Sequence, residues 1–154
     1  MILDIAVQMD PIETINIAGD STFAIMLAAQ PRGHRLWHYH PGDLSYRDGR
    51  VTAPAREIRV QRVAGDHFSF GETRILDLAD DVDVVLMRQD PPFDLAYITA
   101  THLLERIADR TLVVNDPASV RNAPEKLFVL DYARFMPPTL ITRRLEDARA
   151  FHAE

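Results

Sequence analysis

The run Val84-Val85-Leu86-Met87-Arg88-Gln89-Asp90-Pro91-Pro92-Phe93-Asp94 decides what kind of fold this chain can adopt. Its four leading apolar residues have the length of a strand buried on both faces. Pro91 and Pro92 end that strand, because each fixes φ and lacks a backbone N–H. Asp90, ahead of a proline, is driven out of the helical region. Asp94 stands where a helix N-cap belongs, ahead of an apolar-periodic segment, 95–107, whose buried stripe is expected to hold Leu95, Ile98, Leu103, Leu104 and Ile107. The run therefore reads strand, rigid corner, helix. In open α/β sheets ligands bind outside the carboxyl ends of the strands, where such corners lie. Two readings stay open for Arg88, Asp90 and Asp94: a capped turn with a surface ion pair, or part of a binding site.

Working outward, the same grammar recurs. Residues 2–7 read as a buried strand broken at Met9-Asp10-Pro11-Ile12, followed by a loop bearing Thr14, Asn16 and Gly19. Asp20 or Ser21 then caps a helix that Pro31 and Gly33 stop. Residues 111–114 form another short strand, ending at Asn115-Asp116-Pro117, with Pro117 in the first turn of a short helix. A strand at 35–39 follows the first helix. Residues 45–78 carry the hairpin signal Asp48-Gly49 and loosely alternating segments, which predict a small antiparallel excursion from the main sheet. Its arginines, Arg47, Arg50, Arg56, Arg59 and Arg62, read as a solvated face or a subunit contact. Beyond residue 122 a helix over 125–132, a strand-like 139–142 and an amphipathic helix over 143–154 are expected. The order predicts an α/β fold with a parallel sheet flanked by helices.

The chain has 154 residues, enough for one domain with a sizeable core. Its net charge of −6 argues against nucleic acid and anionic membrane as partners. It holds no cysteine, which rules out disulfides, thiolate metal sites and a cysteine nucleophile within these residues and fits a cytoplasmic setting. His38 and His40 lie two apart with Asp43 nearby, too few ligands for a zinc site. No phosphate-binding glycine loop, nucleophile elbow or zinc-protease motif is present. Of the 17 basic residues all but Lys126 are arginine. A lone lysine is either a chance surface residue or a place where a compact ammonium serves a phosphate.

Met9-Asp10-Pro11-Ile12 with Ile15-Asn16-Ile17, Asp20-Ser21-Thr22-Phe23-Ala24, residues 87–94, and Asn115-Asp116-Pro117 with Arg121-Asn122 and Glu125-Lys126-Leu127 together resemble the N-terminal part of bacterial glutathione synthetases. That family commonly carries lysine where this chain has Gln89, and serine where it has Thr22. The resemblance implies a Rossmann-like, pre-ATP-grasp domain over 1–122, with 123–154 leading into an ATP-grasp domain outside this chain. It implies an ATP- and magnesium-dependent ligase that joins γ-glutamylcysteine to glycine through an acyl phosphate, a cytoplasmic homo-oligomer whose 154-residue portion is inactive alone. By the same resemblance Lys126 reaches the nucleotide phosphates. Asp10, Asn16, Asp20, Ser21, Arg88, Asp90 and Asp94 then form one wall of the substrate cleft, and no catalytic residue or metal ligand falls within these residues. The alternative is a stand-alone Rossmann-like module that binds a ligand or partner.

Overall fold

The computed structural model describes residues 1–154, apart from the side chains of Glu125 and Lys126. The chain divides into two compact units, Met1–Asn122 and Ala123–Glu154.

The first unit is built on a seven-stranded sheet. Its strands are β1 (Asp4–Gln8), β2 (Arg35–Tyr39), β3 (Ser45–Arg47), β4 (Arg50–Val60), β5 (Phe68–Asp77), β6 (Val84–Met87) and β7 (Leu112–Val114). The order is β3-β4-β2-β1-β6-β7, with β5 on β4. Strands β2, β1, β6 and β7 run parallel, with Val7 beside His38 and Leu86, and Val85 beside Val113. The α/β class with a largely parallel sheet flanked by helices is as the sequence predicts.

Both faces of the parallel part are covered, which explains why its strands read as unbroken apolar runs. Ile5 and Val7 pack with Phe23 and Met26 of α1 (Ser21–Ala29). Ala6 and Val85 point the other way and pack with Leu104 of α2 (Leu95–Glu105) and with Ile107. A short α3 (Pro117–Asn122) follows β7, and its Arg121 donates to Glu105 at 2.9 Å.

The expected antiparallel strands are present and stay joined to the main sheet. They continue it, because the outer edge of β2 pairs with β4 through Trp37 with Glu57 and His38 with Arg56. The segment is not broken into pieces: β4 runs unbroken through Pro54. On one side β4 meets β5 along its length; on the other it meets β3 at residues 50–52 and β2 at 56–57. Pro54 falls in the gap between those two neighbours, where its missing N–H costs no ladder bond. The hairpin at Asp48-Gly49 forms as expected, both residues having positive φ. All five arginines of this region are exposed; Arg50 reaches the buried carboxylate of Asp77 at 2.6 Å, and Arg56 lies over the ring of Phe70.

Two further expectations are corrected. Leu95 is exposed rather than on the buried stripe of α2, which turns Ala100, Thr101 and Leu104 inward. Residues 139–142 form no strand. Thr139 bonds back to the carbonyl of Pro137, and the Thr142 hydroxyl accepts from the Arg144 N–H, so local side-chain bonds take the place of a ladder. The second unit consists of α4 (Glu125–Phe128), a 3-10 segment Val129–Phe135 and α5 (Leu145–His152). None of its described residues is buried.

Candidate functional site

The carboxyl ends of β1, β6 and β7 each lead into a helix through an aspartate. Asp20 accepts from Phe23 N–H at 2.6 Å, Asp94 from Tyr97 N–H at 3.0 Å, and Asp116 from Ser119 N–H at 2.7 Å. Each bond satisfies one of the N–H groups that a helix start leaves free. The Asp116 carboxyl is held below the usual range by its bonds to Ser119.

Two of these corners are tied to each other. Asp10, just after β1, accepts the Asp90 N–H at 2.7 Å. Arg88, just after β6, donates from Nη2 to Ser21 Oγ at 2.6 Å and from Nε to Thr22 Oγ1 at 3.1 Å, on the first turn of α1. No carboxylate pairs with Arg88 among the described residues. A charged donor thus pins the helix start to the strand end through two hydroxyls.

Beside these corners lies an open cleft of about 430 Å³. Asp10, Asp90 and Asp94 line it, together with His40, Gln89 and Tyr97, over a floor that includes Ala100 and Leu103 of α2. His40 is fixed by a reciprocal turn: its Nδ1 accepts from Gly42 N–H, and its own N–H donates to Asp43. Its Nε2 lies 4.0 Å from Asp10 Oδ1. Partial burial raises the Tyr97 phenol, which therefore remains a neutral hydrogen-bonding group. Three carboxylates facing a cleft with no lysine or arginine among its described lining residues disfavour an anionic group there and favour an amine or a neutral polar group.

Beneath the cleft, polar side chains cross the ends of three strands. The buried Tyr39 hydroxyl bonds to Gln8 Oε1 at 3.1 Å, and the Gln8 amide bonds to Gln89. Next to them His38 is buried, its Nε2 at 3.4 Å from the Asp10 carbonyl. Burial lowers its basicity first of all, and the neighbouring Arg56 acts in the same direction.

A family model described as prokaryotic glutathione synthetase, N-terminal domain, matches residues 3–121. The chain belongs to this family. The glutathione synthetase of Rhodopseudomonas palustris is 59% identical over 154 residues, which is 100% of this chain and 49% of that protein. That of Bradyrhizobium diazoefficiens is 59% identical over 151 residues, 98% of this chain and 48% of the relative. The glutathione synthetase of Escherichia coli O157:H7 is 43% identical over 150 residues, 97% and 47% of the two chains. The chain spans about half the length of the curated relatives it matches.

Within this glutathione synthetase N-terminal domain the sequence-predicted residues separate into groups. Asp10, Asp90 and Asp94 meet in one cleft. Ser21 and Arg88 bond to each other, and Asp20 caps α1. Asn16 shapes the preceding turn, accepting from Ala18 N–H at its side chain and from Gly19 and Asp20 N–H at its carbonyl. The Lys126 side chain lies outside the described residues. Sequence reasoning missed His40 and Tyr97 as lining, and Gln8 beneath them. Gln8 had a visible signal: it is a polar residue closing an apolar strand, in register with Tyr39 and Met87.

Proposed function

We propose that this domain forms the peptide-side wall of a glutathione synthetase, a ligase that joins γ-glutamylcysteine to glycine at the expense of ATP. The observation that carries the reading is the family match over 3–121; the carboxylate-lined cleft at the strand ends supports it. The cleft's charge suits the α-ammonium of a γ-glutamyl peptide, which Asp10, Asp90 and Asp94 would orient. Among the described residues no group of three or more metal-ligating side chains occurs. No step of the reaction is assigned to these residues through ATP or magnesium. Lys126 is the one residue proposed here to reach a nucleotide phosphate. The whole protein is taken as a cytoplasmic homo-oligomer, with the exposed arginines of the antiparallel region, Arg47, Arg50, Arg56, Arg59 and Arg62, as a contact. No helix among the described residues is long and apolar enough to cross a membrane.

The test is a ligation assay on the protein extended to the length of its relatives, supplied with γ-glutamylcysteine, glycine, ATP and magnesium. Glutathione and phosphate form in equal amounts if the reading is right, and the 154-residue chain alone forms neither. Asp90→Ala raises the KM for γ-glutamylcysteine with little effect on that for glycine. A whole protein that makes no glutathione, or an Asp90→Ala variant with unaltered peptide kinetics, would overturn the assignment.

A further inference from the structure

Gln8 is fully buried and Tyr39 nearly so. A buried carboxamide must have its donor and acceptor sides placed correctly, or it leaves unmade hydrogen bonds behind. Here the direction of the chain of bonds is determined. Burial keeps the Tyr39 phenol protonated, and its partner among the described residues is Gln8 Oε1. Were the Gln8 amide reversed, it would donate to the phenolic oxygen, and the phenolic hydrogen would have no acceptor among the described residues. The Tyr39 hydroxyl therefore donates to Gln8 Oε1, and Gln8 Nε2 donates to Gln89 Oε1. The acceptor side of Gln89 is thereby occupied. Its NH2 has no partner among the described residues, and the side chain lines the cleft.

We propose that Tyr39 and Gln8 are positioning residues that hold Gln89 with its NH2 facing the cleft, where it donates to a neutral carbonyl oxygen of the bound peptide. The neutral acceptor follows from the lining. A ligand carboxylate at this point would face Asp10, Asp90 and Asp94, with no lysine or arginine among the described lining residues and Arg88 engaged by Ser21 and Thr22, whereas an amide carbonyl meets no such repulsion. The three groups close three adjacent parallel strands: Tyr39 ends β2, Gln8 ends β1, and Gln89 follows β6. The donor is thus held, through Gln8 and Tyr39, by side chains at the ends of the sheet strands. That the peptide is γ-glutamylcysteine rests on the function proposed above.

Two measurements on the full-length protein test this. In 15N-glutamine-labelled protein without substrate, the Gln8 side-chain NH2 exchanges slowly and the Gln89 NH2 fast; adding γ-glutamylcysteine slows the latter. In steady-state assays Gln89→Glu keeps the acceptor for Gln8 but lacks the donor, and raises the KM for γ-glutamylcysteine roughly 10- to 100-fold, the effect of a hydrogen bond replaced by an unmatched acceptor. The KM values for ATP and glycine do not change. Tyr39→Phe frees the amide pair to reverse and speeds exchange at Gln8. A protected Gln89 NH2 in the free protein, or a Gln89→Glu variant with unchanged peptide KM, would overturn the proposal. If the wild type makes no glutathione, the peptide assignment falls with the proposed function, and the amide exchange alone decides the orientation of Gln89.

Discussion

Arg88→Met removes the guanidinium that joins the end of β6 to the start of α1 while keeping most of the aliphatic stem. The two bonds lost differ in value. Thr22 is buried, so its bond to the charged Nε is worth about 1.5 kcal/mol. Ser21 is exposed, and solvent screening reduces its bond to about 0.5 kcal/mol. Against these stands the removal of a positive charge from a helix N-terminus, a relief of about 0.5 kcal/mol. The expected net loss is about 1.5 kcal/mol, or roughly 4–6 °C in Tm for a domain of this size. Urea unfolding followed by circular dichroism measures it, with the m-value held constant as the check that only the native state has changed. Arg88→Lys does not recover the loss, because one ammonium cannot reproduce the planar fork. A double-mutant cycle with Thr22→Val isolates the pairwise term, expected at about 1 kcal/mol. An Arg88→Met protein as stable as the wild type, with Thr22→Val strictly additive, would show that Arg88 is not the pin described and leave it free for a ligand.

Asp20→Ala removes the cap of α1 and lowers stability by about 1 kcal/mol in the same unfolding assay, with Asp20→Asn close to wild type. His38 gives a pH dependence of known sign. Its folded-state pKa lies below the ordinary 6.5, so on acidification the unfolded chain takes up the proton first. Stability is therefore fully present above that value and falls as pH drops from there toward the folded pKa; His38→Gln flattens that part of the curve, and an unchanged slope would remove His38 as its source. Asp77→Ala takes the partner from Arg50 and the acceptor from Ala79 N–H, and costs about 2 kcal/mol, detectable as a lowered Tm. The Asp77 carboxyl is pushed up by burial but brought down overall by Ala79 and Arg50, so Asp77 contributes stability above the ordinary 3.8, lost below it. Limited proteolysis cleaves first within Ala123–Glu154, whose described residues include none that is buried, and a resistant core near 1–122 remains.

The parts of the fold that were legible in the sequence are those governed by local rules. The corner at 88–94, the Asp20 and Asp94 caps and the Asp48-Gly49 turn each depend on a few adjacent residues, and each is where the sequence puts it. The unbroken β4 was hidden because Pro54 looks like a strand breaker. It is harmless only through the positions of β2 and β3, which no local window contains. The misread 139–142 failed for the complementary reason: β-branched residues favour a strand, but a strand needs a neighbour. In the candidate site, the aspartates were visible as corner residues. The Tyr39–Gln8–Gln89 chain was not, because its members are far apart in sequence and become adjacent through strand register alone.

The placement of β1 between β2 and β6 has a consequence for how the chain comes off the ribosome. The first two parallel strands can pair soon after they are made, but the other side of β1 waits for residues 84–87, across a separation of 79 positions seen in the Asp4–Asp83 bond. Until then the growing chain carries an open, apolar strand edge, the kind of surface that recruits chaperones or misplaced partners. Closing so long a loop is entropically costly and slow relative to hairpin formation. The antiparallel hairpins of β3, β4 and β5, synthesised in the interval, give the nascent domain its earliest self-contained structure, and the candidate site is among the last parts to be assembled.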